Sequence, residues 1–216
     1  NVGRKMQERW GIPYFEGSFY GVSDMSDTLR TMARMLVERG ADKALIDRAE
    51  GVIAREESRV WRRLAPYKPR FEGKRVLLFT GGVKSWSMVN ALEGAGLTIV
   101  GTSTKKSTKE DKDRIKKMKG EEFHQWDDLK PRDIYKMLKD SQADILMSGG
   151  RSQFIALKAK VPWLDLNQER HTPYAGYDGI VNLCEEIDKT LSNPIWRQVR
   201  LAAPWDSKPD VKPVGA

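Results

Sequence analysis

Cysteine and histidine are scarce in this chain, which has one cysteine and two histidines among 216 residues. The single cysteine, Cys184, excludes an internal disulfide framework and any Cys-rich zinc or iron–sulfur site. His124 and His171 are too few to build a metal site from imidazole ligands. We therefore expect no metal ligands in this chain and no metal cluster retained by this chain alone.

Long hydrophobic runs are also absent. No apolar stretch approaches the roughly 20 residues of a membrane-spanning helix, and no secretory signal pattern opens the sequence. The apolar fraction of 39% is too high for a disordered chain. We expect a cytoplasmic globular protein without membrane contact. Because Asn1 lies inside a helical pattern, we also expect a piece of a longer protein.

The net charge of +8 comes largely from one segment. Residues 105–119 include eight basic and three acidic residues, a net +5. Such runs are typical of a solvated helix face, with a docking or polyanion surface as the alternative. No aromatic residues are interleaved with these charges, so nucleic acid is not an expected partner.

The N-terminal third is predicted to be a loop with a helical annex. Apolar residues at helical spacing predict three helices, over residues 2–10, 24–37 and 42–64. Ser23 or Asp24 is expected to cap the second helix, and Pro66 and Pro69 to end the third. Residues 14–21 mix glycines with aromatics, which favours a structured loop beside a site.

From residue 73 onward, short apolar runs alternate with helical patterns. The predicted strands cover 75–80, 97–101, 143–147 and 162–167, with a weak strand within 121–126. The predicted helices cover 85–93, 108–118, 132–139, 151–159 and 177–191. This alternation predicts an α/β fold, a Rossmann-like parallel sheet flanked by helices. The expected parts are an annex (1–72), the α/β domain (73–191) and a C-terminal extension (192–216).

Glycines and charged residues follow three of the predicted strands, where ligands bind in open parallel sheets. The segments are Thr80–Trp86, Ser148–Ser152 and Asn167–Arg170. In the first two, a Gly-Gly pair precedes a helix, so backbone N–H groups can approach an anion. Lys84 and Arg151 add a positive charge to each. Tight turns are the alternative interpretation, and neither a dinucleotide fingerprint nor a phosphate-binding loop is present.

Other residues have simpler explanations. Cys184 lies among apolar residues of the last predicted helix, which indicates a packing thiol. Asp178 lies near the start of that helix and is expected to cap it. His124 has no identifiable partner in the sequence.

Five segments together resemble the nitrogenase component-1 superfamily, and the resemblance extends to residues 203–206. The segments are Phe15–Gly21, Thr80–Ser87, Gly101–Thr108, Leu164–Arg170 and Ala175–Gly179. Within the superfamily, the similarity is greatest to the scaffolds that assemble the iron–molybdenum cofactor. The resemblance implies tandem Rossmann-like domains that hold a precursor metal–sulfur cluster while molybdenum and homocitrate are inserted. It also implies two partners, an N-subunit homologue in a heterotetramer and the nitrogenase Fe protein.

The resemblance also implies which residues line the cofactor site. The expected cofactor-binding residues are Gly81, Gly82, Lys84, Ser85, Gly149, Gly150, Arg151, Asn167 and Glu169. Arg151 matches a basic residue near the organic acid, and Lys84 stands where catalytic alpha subunits have arginine. The family's cysteine ligands lie N-terminal to the matching region, so this chain is not expected to retain the cluster alone.

Asn167 separates the two functions that the resemblance allows. Catalytic alpha subunits have a cofactor-ligating histidine at about this position, and a neutral amide is a much weaker metal ligand. A scaffold that releases its cluster is therefore favoured, and no catalytic residue is expected. The alternative is an alpha-type subunit of a nitrogenase or of a nitrogenase-like reductase.

Overall fold

A five-stranded sheet, in which every neighbouring pair of strands is parallel, forms the centre of the computed structural model. The structure describes residues 2–82, 84–167, 169 and 171–202 and, of Ser85, the main chain alone. The strands are β1 (Arg75–Phe79), β2 (Thr98–Ser103), β3 (Gln125–Trp126), β4 (Ile145–Ser148) and β5 (Trp163–Asp165). Their order across the sheet is β3-β2-β1-β4-β5. The predicted α/β fold is confirmed.

Helices flank the sheet and precede it in the chain. The described helices are α1 (Val2–Trp10), α2 (Val22–Val37), α3 (Ala44–Leu64), α4 (Lys68–Phe71), α5 (Ser85–Gly94), α6 (Lys109–Lys119), α7 (Pro131–Asp140), α8 (Gln153–Ala159), α9 (Gly176–Ser192) and α10 (Ile195–Val199), with a 3₁₀ turn at Gly150–Ser152. None of the described helices is long and apolar enough to cross a membrane. Residues 203–216, most of the predicted C-terminal extension, lie outside the described residues.

The core lies on both faces of the sheet because strand side chains alternate in direction. Val76 and Leu78 of β1 pack in one cluster with side chains of α5 and α9. Leu77 points the opposite way and packs with side chains of α7 and α8. All three β1 side chains are buried, and each buried leucine stabilises the fold by roughly 1.5–3 kcal/mol. Cys184 of α9 is fully buried in the first cluster, which confirms the packing thiol.

The start of α2 differs from the prediction. The helix begins at Val22, and the residue before it is Gly21, whose φ of 80° suits glycine. The expected cap by Ser23 or Asp24 is wrong, since both lie inside the helix. Asp24 instead accepts a hydrogen bond from Asn90 Nδ2 at 2.8 Å, which ties α2 to α5.

The end of α3 is partly as predicted. The helix ends at Leu64, before Pro66, but Pro69 does not end a helix. It lies at the start of α4, where proline is favoured because the amides of a first turn have no intrahelical partner.

His124 has a partner that the sequence did not indicate, because its ring stacks on Trp126 with centroids 5.6 Å apart.

Asp178 joins α9 to α3, so its expected role as a helix cap is wrong. No side-chain hydrogen bond caps α9 at Ala175. The Asp178 carboxylate instead accepts hydrogen bonds from Arg59 and Arg63. The hydrogen bond from Arg59 is the main reason why the pKa of Asp178 is lowered.

We expect Asp178→Asn to reduce the free energy of unfolding at pH 7 by less than about 1 kcal/mol, because exposed ion pairs are weak. The pKa is lower in the folded state, so this contribution is complete above the ordinary carboxyl pKa of about 4. It disappears as the pH falls through the folded-state value. Denaturant unfolding of both proteins at pH 7 and at about pH 2 measures it. A difference that persists in acid would contradict this origin.

Candidate functional site

The candidate site lies at the carboxyl ends of β1, β4 and β5. The strand order reverses between β1 and β4, because β2 and β3 continue on one side of β1 while β4 and β5 continue on the other. Such a reversal opens a crevice at the carboxyl ends of the strands, where doubly wound sheets bind ligands. The three glycine-rich and charged segments predicted from the sequence follow these strands.

The loop after β1 is fastened to the loop after β2. Gly81 and Gly82 have φ values of 73° and 94°, in the left-handed region that favours glycine. The Gly81 N–H donates to Ser103 Oγ at 2.8 Å, and the Gly81 carbonyl accepts from the Lys106 N–H at 2.8 Å. Ser107 Oγ donates to the Gly82 carbonyl at 3.1 Å. The Gly81 amide, expected to face an anion, is therefore engaged within the protein.

Lys84 makes a half-buried ion pair with Glu169. Its Nζ donates to Glu169 Oε1 and, at 3.0 Å, to the Leu166 carbonyl. The same Nζ lies 5.0 Å from the centre of the Tyr20 ring, within cation–π range. The two charged side chains are 15% and 21% exposed. The positive charge of Lys84 is thus compensated within the site.

Glu169 is held from three sides. Besides Lys84, the Tyr20 hydroxyl donates to Oε1 at 2.9 Å and the Tyr174 N–H donates to Oε2 at 3.0 Å. Burial by itself raises the pKa of Glu169, but these hydrogen bonds outweigh it, and the pKa is lowered. Burial also raises the pKa of Tyr20, so the phenol stays protonated and donates. Glu169 is therefore an ionised hydrogen-bond acceptor.

The loop after β4 brings Gly149 next to Asn167. A Cβ at Gly149 would lie 2.6 Å from Asn167 Nδ2, so only glycine allows this approach without movement of the amide. Asn167 is exposed, and its backbone N–H donates to Asp165 Oδ1 at 2.9 Å. Arg151 is exposed in the 3₁₀ turn. It has no carboxylate partner among the residues that the structure describes.

The remaining predicted site residues contribute less. Gly150 begins the 3₁₀ turn. Ser85 is the first residue of α5, but its side chain lies outside the described part of the chain. Within that part, no group of three His, Cys, Asp or Glu side chains could hold a metal ion. Burial raises the pKa of the Cys184 thiol to about 12, so a thiolate ligand is not available there.

Sequence reasoning missed the residues that hold Lys84 and Glu169. Tyr20 is the most important of them, because it belongs to the N-terminal segment and lies 149 positions from Glu169. The only signal was the mixture of glycines and aromatics in residues 14–21, interpreted as a loop beside a site. Because Tyr20 contacts Glu169, this segment lies beside the candidate site.

Much of the basic segment is paired with acidic side chains of the same chain. Lys112 pairs with Asp127 at 2.6 Å and Lys116 with Glu121 at 2.9 Å. The Arg114 guanidinium lies 4.1 Å from the centre of the Trp86 ring. Most of this segment forms α6, in which Ile115 is the only buried residue, so the expected solvated helix face is present.

A parallel sheet with glycine-rich and basic loops at its strand reversal defines the class of this domain, which is Rossmann-like. Domains of this class generally bind their ligands in the crevice at the strand ends. The particular family follows from a family model. The model described as "Nitrogenase component 1 type Oxidoreductase" matches residues 1–192. The chain belongs to this family.

Curated relatives carry the name "Nitrogenase iron-molybdenum cofactor biosynthesis protein NifE". The protein of Bradyrhizobium diazoefficiens is 63% identical over 207 residues, which cover 96% of this chain and 38% of that protein. The protein of Klebsiella pneumoniae is 45% identical over 205 residues, covering 95% and 44%. The chain thus spans about two fifths of the length of these relatives.

A solved structure titled "Nitrogenase Cp1 at pH 5" is similar to this chain in fold. Its TM-score is 0.78 at 25% sequence identity, covering 94% of this chain and 46% of that one. The expected nitrogenase component-1 architecture is therefore confirmed for this chain.

Proposed function

We propose that this chain is part of a scaffold for the biosynthesis of the nitrogenase iron–molybdenum cofactor. It forms one side of a site that holds a precursor metal–sulfur cluster during the insertion of molybdenum and homocitrate. The observation that carries the proposal is an identity of 45–63%, over at least 95% of this chain, with relatives named for that biosynthesis. The cluster is the cargo of the scaffold, and its firm ligands come from outside this chain.

The geometry of the strand-end loops supports this role. Arg151 presents an exposed guanidinium without a carboxylate partner among the described residues, which suits the carboxylates of an organic acid. Gly150 is exposed and carries no side chain, so a large cargo can approach the β4 loop closely there. Asn167 offers a neutral amide, a weak metal ligand that favours release over permanent retention.

The same proposal includes two protein partners. We expect an N-subunit homologue to complete a heterotetramer around the cargo, and the nitrogenase Fe protein to act on that assembly. The relatives are more than twice as long as this chain, so most of the surface that binds these partners belongs to segments outside it.

A second candidate is an alpha-type subunit of a nitrogenase or of a nitrogenase-like reductase. The observation in its favour is the TM-score of 0.78 with a solved nitrogenase structure. Asn167 is the observation against it, because an alpha subunit would have an imidazole ligand at about this position.

Anaerobic purification separates the two functions. The chain is expressed in its natural polypeptide together with the N-subunit homologue, and iron and molybdenum are measured. We expect a brown complex that donates cofactor to nitrogenase lacking it. A complex that reduces substrate itself, without such donation, would instead establish the reductase.

Arg151→Gln should weaken retention of the cargo about tenfold, the effect of losing roughly one charge-assisted hydrogen bond. Folding should be unaffected because the side chain is exposed. Arg62→Gln is the matched control, since Arg62 is exposed and its side chain donates to the Ser58 carbonyl of its own helix. Iron and homocitrate that remain after gel filtration are the readout. Equal retention in both variants would remove Arg151 from the site.

A further inference from the structure

Lys84 and Arg151 were both expected to attract an anionic cargo, but their surroundings differ. Arg151 is exposed and has no carboxylate partner in the described part of the chain. Lys84 is 15% exposed and is already paired with Glu169. A buried cation with a partner in place offers little net charge to a new anion. Lys84 can therefore bind a cargo strongly only if it leaves Glu169.

Glu169 has the contacts of a fixed counterion. The Tyr20 hydroxyl and the Tyr174 N–H donate to its two carboxylate oxygens at 2.9 and 3.0 Å. Tyr20 is itself anchored, because the carbonyl of the neighbouring Phe19 accepts a hydrogen bond from the Gly176 N–H at 2.7 Å. These contacts do not involve Lys84, so they would hold the carboxylate in place without it.

We propose that Glu169 competes with the cargo for Lys84 and that Tyr20 is the positioning residue for this competition. The inference rests on the proposed scaffold function. When the anionic cargo enters, Lys84 exchanges the Glu169 carboxylate for an acceptor on the cargo. When the cargo leaves, Lys84 returns to Glu169. The exchange weakens binding enough for a carrier that must pass its cargo on.

The direction of one mutational effect distinguishes this role from a structural one. Glu169→Gln removes the negative charge but keeps an oxygen that can accept from Tyr20 or Tyr174. Lys84 is then available to the cargo, so the cargo should dissociate about tenfold more slowly, the size of roughly one partly screened ion pair. If Glu169 only held the loop in shape, the same variant would lose its cargo faster.

The experiment uses the natural polypeptide with its partner subunit, purified anaerobically. The loss of iron with time and the transfer of cofactor to cofactor-free nitrogenase are measured. Glu169→Gln should retain iron longer and transfer it more slowly. Tyr20→Phe should also slow the loss of iron and the transfer of cofactor, each by about threefold, because it loosens the Glu169 carboxylate without removing its charge. Glu121→Gln is the control, since Glu121 pairs with Lys116 at the surface.

A second measurement does not depend on the cluster. Citrate serves as a tricarboxylate probe, and its affinity for the cargo-free complex is measured by calorimetry. Glu169→Gln should bind citrate about tenfold more tightly than the unmodified protein, and Lys84→Met should abolish this gain. If Glu169→Gln binds citrate more tightly but the unmodified complex purifies without any cluster, the exchange at Lys84 would be supported and the scaffold function would be contradicted. Unchanged or weaker citrate binding, or faster loss of iron, in Glu169→Gln would overturn the exchange.

Discussion

Replacing Gly179 with alanine is expected to destabilise the domain by roughly 2–4 kcal/mol, as overpacking against a fixed main chain does. Gly179 is buried in α9. A Cβ at this position would lie 2.3 Å from the carbonyl carbon of Tyr174 and 2.5 Å from its oxygen. Neither atom belongs to a flexible side chain, so α9 or the segment before it must move. Equilibrium denaturation of the variant measures the loss.

The control for Gly179 is a helical glycine with free space around it. Gly51 is exposed in α3, and a Cβ at this position would have no atom within 4 Å. Gly51→Ala should stabilise the protein by about 0.5–1 kcal/mol, because alanine loses less conformational entropy on folding. If alanine destabilises the protein at Gly179 and stabilises it at Gly51, the difference between the two changes measures the steric cost of a Cβ at Gly179. A Gly179→Ala variant as stable as the unmodified protein would show that α9 adjusts without cost.

The effect of Gly179→Ala should reach the candidate site. Tyr174 donates its N–H to Glu169, so a displaced Tyr174 removes one of the three hydrogen bonds that hold this carboxylate. Close packing between α9 and the preceding segment is thus part of what fixes the ion pair of Lys84.

The fold was predictable where one local pattern determined the structure. Short apolar runs followed by helical spacing placed β1, β2, β4 and β5 within a few residues of their observed positions. Crossover handedness follows from general chirality. The order of the strands in the sheet cannot be predicted in this way, because it depends on which strands pack together across the whole domain. Local pattern also suggested a helix cap at Asp24, whose actual partner, Asn90, lies 66 positions away.

The candidate site was predictable to the same extent. The position of glycines and basic residues after strands predicted that they would meet at one edge of the sheet, and β1, β4 and β5 do end there. The compensation of Lys84 was not predictable, because Glu169 lies 85 positions away and both charges were expected to face a ligand. Charges that neutralise each other across a crevice are evident only after folding brings the loops together.

Alanine at Gly82 should cost about 3 kcal/mol of stability, against about 1 kcal/mol at the adjacent Gly81. Both residues have positive φ values, so both variants lose the conformational freedom of glycine. A Cβ at Gly81 would have no atom within 4 Å, whereas one at Gly82 would lie 2.6 Å from Ser107 Oγ and 2.8 Å from the Ser107 nitrogen. The difference between the variants is therefore the cost of separating the β1 and β2 loops.

Because Lys84 follows this turn, the Gly82 variant should also disturb the candidate site, while the Gly81 variant should leave it intact. Thermal unfolding of both variants in parallel, with iron retention of the anaerobic complex, tests the two effects together. If Gly81→Ala and Gly82→Ala lost equal stability, the backbone strain of a non-glycine residue at positive φ would explain both losses. The contact with Ser107 would then have no role in shaping the turn. A larger loss of both stability and iron at Gly82 would place the β2 loop among the elements that position Lys84.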